Sequence, residues 1–190
     1  AFLVGNELLP ESLTQADLAG IEALFTSAAQ AVKAADPSRF ASYSNWPLLS
    51  FLNASMWDAV CFNVYPYEPG SVSHAFGFRS YVEGLKRTAA RGKPLIVTEV
   101  GLSVSPSAGD RPGYGGLTPE AQRTALMKLW DDLLQAGAQG GVIFEWNDEW
   151  WKHGESVGDA ATHDARDPEN LFVCENTLLP RYAKPNRSGK

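Results

Sequence analysis

The sequence predicts an α/β fold, a parallel sheet whose strands are joined by helices. Short apolar, β-branched runs alternate along the chain with longer stretches of helical spacing instead of gathering in blocks. Polar and acidic residues recur where those runs stop, as they do in a sheet whose strand ends share one face. The 190 residues are 44% hydrophobic and 11% aromatic, enough apolar side chain for one sizeable core. A single globular domain is therefore expected, and wholesale disorder is excluded.

The first strand is expected in residues 1–5, Ala1-Phe2-Leu3-Val4-Gly5, and it delivers Asn6 and Glu7 at its carboxyl end. Thr14 then reads as a helix cap, with Asp17 three residues on as in a capping box. Leu18, Ile21, Leu24, Phe25, Ala28 and Val32 follow helical spacing until Asp36-Pro37 ends the helix. Residues 40–43 form a second short strand, followed by the loop Ser44-Asn45-Trp46-Pro47. Residues 59–65 are a third, closed by Pro66-Tyr67-Glu68-Pro69-Gly70, where two prolines and a glycine forbid regular continuation.

Ser73 caps the next helix, which runs to about Arg91, before Gly92. Residues 94–99 are a strand of the continuous apolar kind found in parallel sheets, with Glu99 at its end. A Gly-, Ser- and Pro-rich loop leads to Thr118-Pro119-Glu120, a cap with proline at the first helical position, and that helix closes near Gly137. Residues 141–146 complete a count of five strands. Residues 1–151 thus form one array of strand and helix units, and residues 152–190 are expected to be an irregular loop and tail.

Several function classes are disfavoured. A formal charge of -6 opposes nonspecific attraction to phosphate backbones or anionic lipid, so no nucleic-acid or membrane partner is expected. No apolar run is long enough to span a bilayer, and no signal-peptide layout is visible. The chain contains neither GxGxxG nor GxxxxGK[ST], which removes the usual dinucleotide and nucleotide cradles. His153, Glu155, His163 and Asp164 lack any zinc-ligand spacing and read as solvated loop residues. Cys61 lies in an apolar run, where a small buried thiol is ordinary.

The strand ends carry the chemistry: Asn6-Glu7, Asn63 with Tyr65 and Tyr67, Glu99, and Glu145-Trp146. Glu7 and Glu99 lie 92 positions apart. At roughly 30 residues per βα unit that is three units, the separation of strands four and seven in a (β/α)8 barrel. A carboxylic acid and a carboxylate facing each other across a sugar are equipped to cleave a glycosidic bond, one protonating the leaving oxygen while the other attacks the anomeric carbon.

Val4-Gly5-Asn6-Glu7, Asn63-Val64-Tyr65-Pro66-Tyr67, Val97-Thr98-Glu99-Val100-Gly101 and Phe144-Glu145-Trp146 resemble the retaining glycoside hydrolases of clan A. The Asn-Val-Tyr-Pro-Tyr run is similar to that of β-1,3-glucanases and glucanosyltransferases. Glu145 to Trp151 is more similar to bacterial barrel domains of the family containing β-galactosidase. The resemblance implies a (β/α)8 TIM-barrel of which strands four to eight are present, a half-barrel.

It further implies that Glu7 is the acid/base and Glu99 the nucleophile. Asn6 would contact the sugar 2-hydroxyl, Tyr65 would orient the nucleophile, and Trp146 would form the floor of the reacting subsite. Asn63, Tyr67 and Trp46 join the expected substrate-binding residues, with Glu145 and Asp148 as candidates for sugar hydroxyls. Trp57 and Trp130 are read as core.

The implied partner is a β-linked, glucan-like oligo- or polysaccharide, cleaved without metal or organic cofactor, and this substrate class favours an extracellular or periplasmic location. Two other readings stay open. One is a noncatalytic carbohydrate-binding half-barrel. The other is a scaffold that associates with itself, or with a missing N-terminal half-barrel, through unpaired strand edges.

Overall fold

The computed structural model describes residues 1–8, 17–65, 77–102 and 118–144. The chain divides into two compact units, the first of residues 1–64, 79–100 and 130–142, the second of residues 65–78, 101–129 and 143–190. Elements follow in the order β1 (Phe2–Asn6), α1 (Leu18–Ala35), β2 (Ala41–Asn45), a 3-10 turn (Pro47–Leu49), β3 (Val60–Asn63), α2 (Phe78–Leu85), β4 (Leu95–Val100), α3 (Pro119–Gln135) and β5 (Gly140–Ile143).

The five strands lie side by side in sequence order, and the pairs β1/β2, β2/β3 and β3/β4 are parallel. The chain therefore steps one way across the sheet and never reverses. A doubly wound sheet reverses and binds its ligand at that switch point, whereas a (β/α) barrel advances by one strand each time. All of β3 and most of β2 and β4 are buried, as expected of a parallel sheet covered on both faces. The outer strand β1 is exposed along most of its length.

Asp17 itself caps α1: its backbone is extended and its carboxylate accepts from the Gly20 N–H at 2.5 Å. Thr14, expected in that role, lies outside the described residues, as does Ser73. Ile21, Phe25 and Ala29 of α1 are buried against Ala41 and Trp57, with Tyr43 partly buried beside them. Leu18 and Leu24, expected on this face, are exposed instead. The apolar stripe is narrower than the run of leucines implied.

No helix lies between β2 and β3. The 3-10 turn and the following loop fill that place, pinned by the Lys93 ammonium, which donates to the carbonyls of Ala54, Ser55 and Trp57 at 2.6–3.0 Å. β2 is also longer than expected, since Ser44 and Asn45 belong to the strand and not to the loop after it. α2 continues through a π-helical turn, Lys86–Ala90, and stops where Arg91 and Gly92 both take positive φ. Thr118 caps α3 by accepting from the Ala121 N–H at 3.1 Å. Trp57 is core as expected, but Trp130 is 36% exposed and is not.

Candidate active site

β1 and β4 each carry one irregularity, just ahead of a glutamate. Leu3 pairs with Ser42 but Asn6 with Ser44, so β1 holds one residue more than β2 over that stretch. Phe62 pairs with Val97 but Asn63 with Glu99, so β4 likewise holds one more than β3. An extra residue reverses the side to which later residues point and so re-aims the strand end beyond it, a common device beside functional sites. Glu7 itself sits at φ 49, left-handed backbone that costs a non-glycine residue energy. Its N–H still donates to the Ser44 carbonyl at 2.9 Å, so the turn is held in place.

These adjustments gather a polar cluster around Asn63, which is buried at the end of β3. The Asn63 Nδ2 donates to Glu7 Oε1 at 2.8 Å and to Asn6 Oδ1 at 3.0 Å. Its Oδ1 lies 2.7 Å from Ser44 Oγ and 2.9 Å from Thr98 Oγ1, and those two hydroxyls are 2.5 Å apart. Ser44 and Thr98 are both buried. Four of the five strands thus contribute one polar network, at the carboxyl ends of parallel strands. Glu99 is opposite Asn63 in the register, and its carbonyl accepts from the Val64 N–H at 2.8 Å.

Of the residues expected from the sequence, Asn6, Glu7 and Asn63 are joined directly, and Glu99 adjoins them through the strand pairing. Asn63 directs both amide hydrogens to Glu7 and Asn6. Trp46 is also placed differently from expectation. Its ring is buried at the start of the 3-10 turn, with no partner for the indole N–H among the described residues, and is not an open platform for stacking. Tyr65 belongs to the second unit, where its ring meets Phe144 edge-on at 6.4 Å. Tyr67, Glu145, Trp146 and Asp148 lie outside the described residues.

Ser44 and Thr98 were not singled out by sequence reasoning. Serine and threonine within strands are common, and only the register places them together across 54 positions. Tyr43 adds a second ionisable group near Glu7. Burial raises its phenol above the ordinary range, and the Glu7 charge raises it further. A cavity of about 30 Å³ lined by Phe25, Tyr43, Leu49, Trp57 and Phe62 is too small for a sugar ring and holds a few waters at most.

No family model matches this chain, and no curated protein matches it in sequence. Among solved structures it is similar to a β-glucuronidase of Bacteroides uniformis, with a TM-score of 0.55 and 18% identity over 80% of this chain and 20% of that one. It is also similar to a β-glucuronidase from Ruminococcus gnavus in complex with D-glucuronic acid, with a TM-score of 0.53 and 18% identity over 75% of this chain and 25% of that one. A β-glucuronidase of an uncultured Clostridium matches with a TM-score of 0.50 and 16% identity over 67% and 23%. The chain spans about a fifth to a quarter of the length of these enzymes, and at such identities what it shares with them is a fold.

Proposed function

We propose that this chain carries the two reaction carboxylates of a retaining β-glycoside hydrolase or transglycosylase, Glu7 as acid/base and Glu99 as nucleophile. The observation that carries the reading is Asn63, which holds the Glu7 carboxylate on one side and faces Glu99 in the strand pairing on the other. The similarity in fold to solved β-glucuronidases supports it.

In the first step, the Glu99 carboxylate attacks the anomeric carbon while Glu7 gives its proton to the leaving oxygen, producing a glycosyl-enzyme ester. In the second, Glu7, now a carboxylate, takes a proton from water or an acceptor hydroxyl, which displaces Glu99. The hydrogen bond from Asn63 bears on both steps. An oxygen that accepts from Nδ2 keeps its lone pair directed there, so Glu7 carries its acid proton on Oε2, and the same bond stabilises the anion left after transfer.

The five strands read as strands four to eight of a (β/α)8 barrel. Their uninterrupted sequence order supports this, and so do the large apolar side chains exposed on the two outer strands, Phe2 and Leu3 on β1 and Val142 on β5. The substrate is a β-linked, glucan-like saccharide, the class implied by the Asn63-Val64-Tyr65-Pro66-Tyr67 run.

The test is hydrolysis of a panel holding β-glucans and β-glucuronides, by this chain alone and by the chain joined to three preceding βα units. Glu7→Gln is expected to lose about 10²–10⁴-fold in rate, and Glu99→Gln at least as much. Full activity in either variant overturns that residue's role. Binding of the saccharide without turnover by any form favours a noncatalytic half-barrel instead.

A further inference from the structure

The hydroxyls around Asn63 make three contacts with only two hydrogens. Ser44 Oγ, Thr98 Oγ1 and Asn63 Oδ1 form a triangle with sides of 2.5, 2.7 and 2.9 Å, and each hydroxyl has a single proton to donate. Were both protons aimed at Asn63 Oδ1, the two hydroxyl oxygens would face each other unprotonated at 2.5 Å, a repulsive arrangement. One hydroxyl therefore donates to the other, and the second donates to the amide oxygen. Either order is possible, because each hydroxyl lies within reach of Oδ1.

This arrangement fixes the amide. With Oδ1 engaged by a donor, Nδ2 must face Asn6 Oδ1 and Glu7 Oε1, both acceptors. A half-turn of the amide would set its oxygen against the Glu7 carboxylate and its N–H₂ against the hydroxyl pair, exchanging an attraction for a repulsion at the carboxylate.

We propose that Ser44 and Thr98 are positioning residues that act as a redundant pair: either hydroxyl suffices to give the buried Asn63 Oδ1 its donor and so firm the amide that donates to Glu7, and loss of both leaves Oδ1 unsatisfied and weakens that donation. The proposal deepens the glycosidase reading by assigning the parts that aim its acid/base. Its geometry also stands if Glu7 serves another purpose.

The test follows the Glu7 carboxyl carbon by ¹³C NMR through a pH titration in the full chain, alongside Ser44→Ala, Thr98→Val and the double variant. Tyr43 and Glu99, ionisable groups beside this network among the described residues, are unchanged in all three. Each single variant is expected to keep the midpoint of Glu7 close to that of the parent, because the remaining hydroxyl donates to Oδ1 directly. The double variant is expected to raise it by about one unit, the worth of a charge-assisted hydrogen bond.

Strong departure from additivity is the signature. Single-variant shifts that sum to the double, or a double variant that titrates like the parent, overturn the proposal. Thr98→Ser in the Ser44→Ala background restores the parent midpoint, which a purely steric role would not predict.

If the double variant does not fold, the single variants still decide the matter: a Glu7 midpoint moved by about one unit in Ser44→Ala or in Thr98→Val alone overturns the redundancy. The Asn63 side-chain amide protons must shift with the Glu7 titration, and failure to do so overturns the arrangement. Glycoside hydrolysis is scored separately: non-additive titration without turnover removes the glycosidase reading and leaves the pair standing, whereas turnover with additive titration does the reverse.

Discussion

Glu99 stands opposite Asn63 across β3 and β4, one position later than straight pairing from Val60 and Leu95 would place it. The extra residue is Thr98, whose hydroxyl turns to Asn63 and Ser44. One irregularity thus supplies both a contact to the amide that holds Glu7 and a position beside that amide for the second carboxylate. A regular strand would give only one of the two.

Asn63→Asp tests how closely the amide serves Glu7. The substitution keeps the shape but replaces two N–H donors with an acidic oxygen facing the Glu7 carboxylate and the Asn6 carbonyl oxygen. Two carboxylates so placed cannot both ionise cheaply, so one of them titrates upward. A carboxyl raised in the folded state contributes stability at low pH that is lost as pH rises. The cost should be about 2–4 kcal/mol at about pH 7 and clearly less at about pH 4.5, read by denaturant unfolding at both values. A cost independent of pH would show that no carboxylate adjoins Asn63 in solution.

Gly5 owes its identity to Tyr43. A Cβ at position 5 would stand 2.5 Å from Tyr43 Cε2. The ring has little freedom to retreat, because Phe25 lies 4.6 Å away and Trp57 6.4 Å away, centroid to centroid. Gly5→Ala should therefore destabilise the fold by about 1–3 kcal/mol, as overpacking does. Combining it with Tyr43→Ala should cost less than the two single changes together. Simple additivity in urea unfolding would mean that the two positions do not touch.

The broad plan of this protein is legible in its sequence because it rests on local signals. Short β-branched runs mark the strands, Asp36-Pro37, Gly92 and Gly137 mark helix ends, and Thr118-Pro119 marks a helix start. The pairing of Glu7 with Asn63 is half legible, since both come after apolar runs. The features that stay hidden depend on register. The added residues in β1 and β4, the left-handed backbone of Glu7 and the meeting of Ser44 with Thr98 leave no mark in composition or periodicity. Trp46 misleads for a related reason. An aromatic after a strand looks like a sugar platform, yet Trp46 opens a connection that holds no α-helix between β2 and β3, and its ring is buried there.

Tyr43 offers a direct reading of the Glu7 charge. Its phenol is raised first by burial and then by the negative charge of Glu7, so the neutral form is favoured in the folded chain. Removing that charge with Glu7→Gln should bring the Tyr43 midpoint down toward, but not to, its ordinary value of 10.0, because burial persists. The linkage has a definite sign. A group whose folded pKa lies above its unfolded one contributes stability fully below the unfolded value, and this is lost as pH climbs through the folded one. The chain should thus lose stability above pH 10, with a slope that Tyr43→Phe reduces and Glu7→Gln partly reduces. Ultraviolet titration of tyrosinate, taken as the difference between parent and Tyr43→Phe, gives the midpoint. A midpoint that Glu7→Gln leaves unmoved would separate the two side chains, and with them the placement of the Glu7 carboxylate at the end of β1.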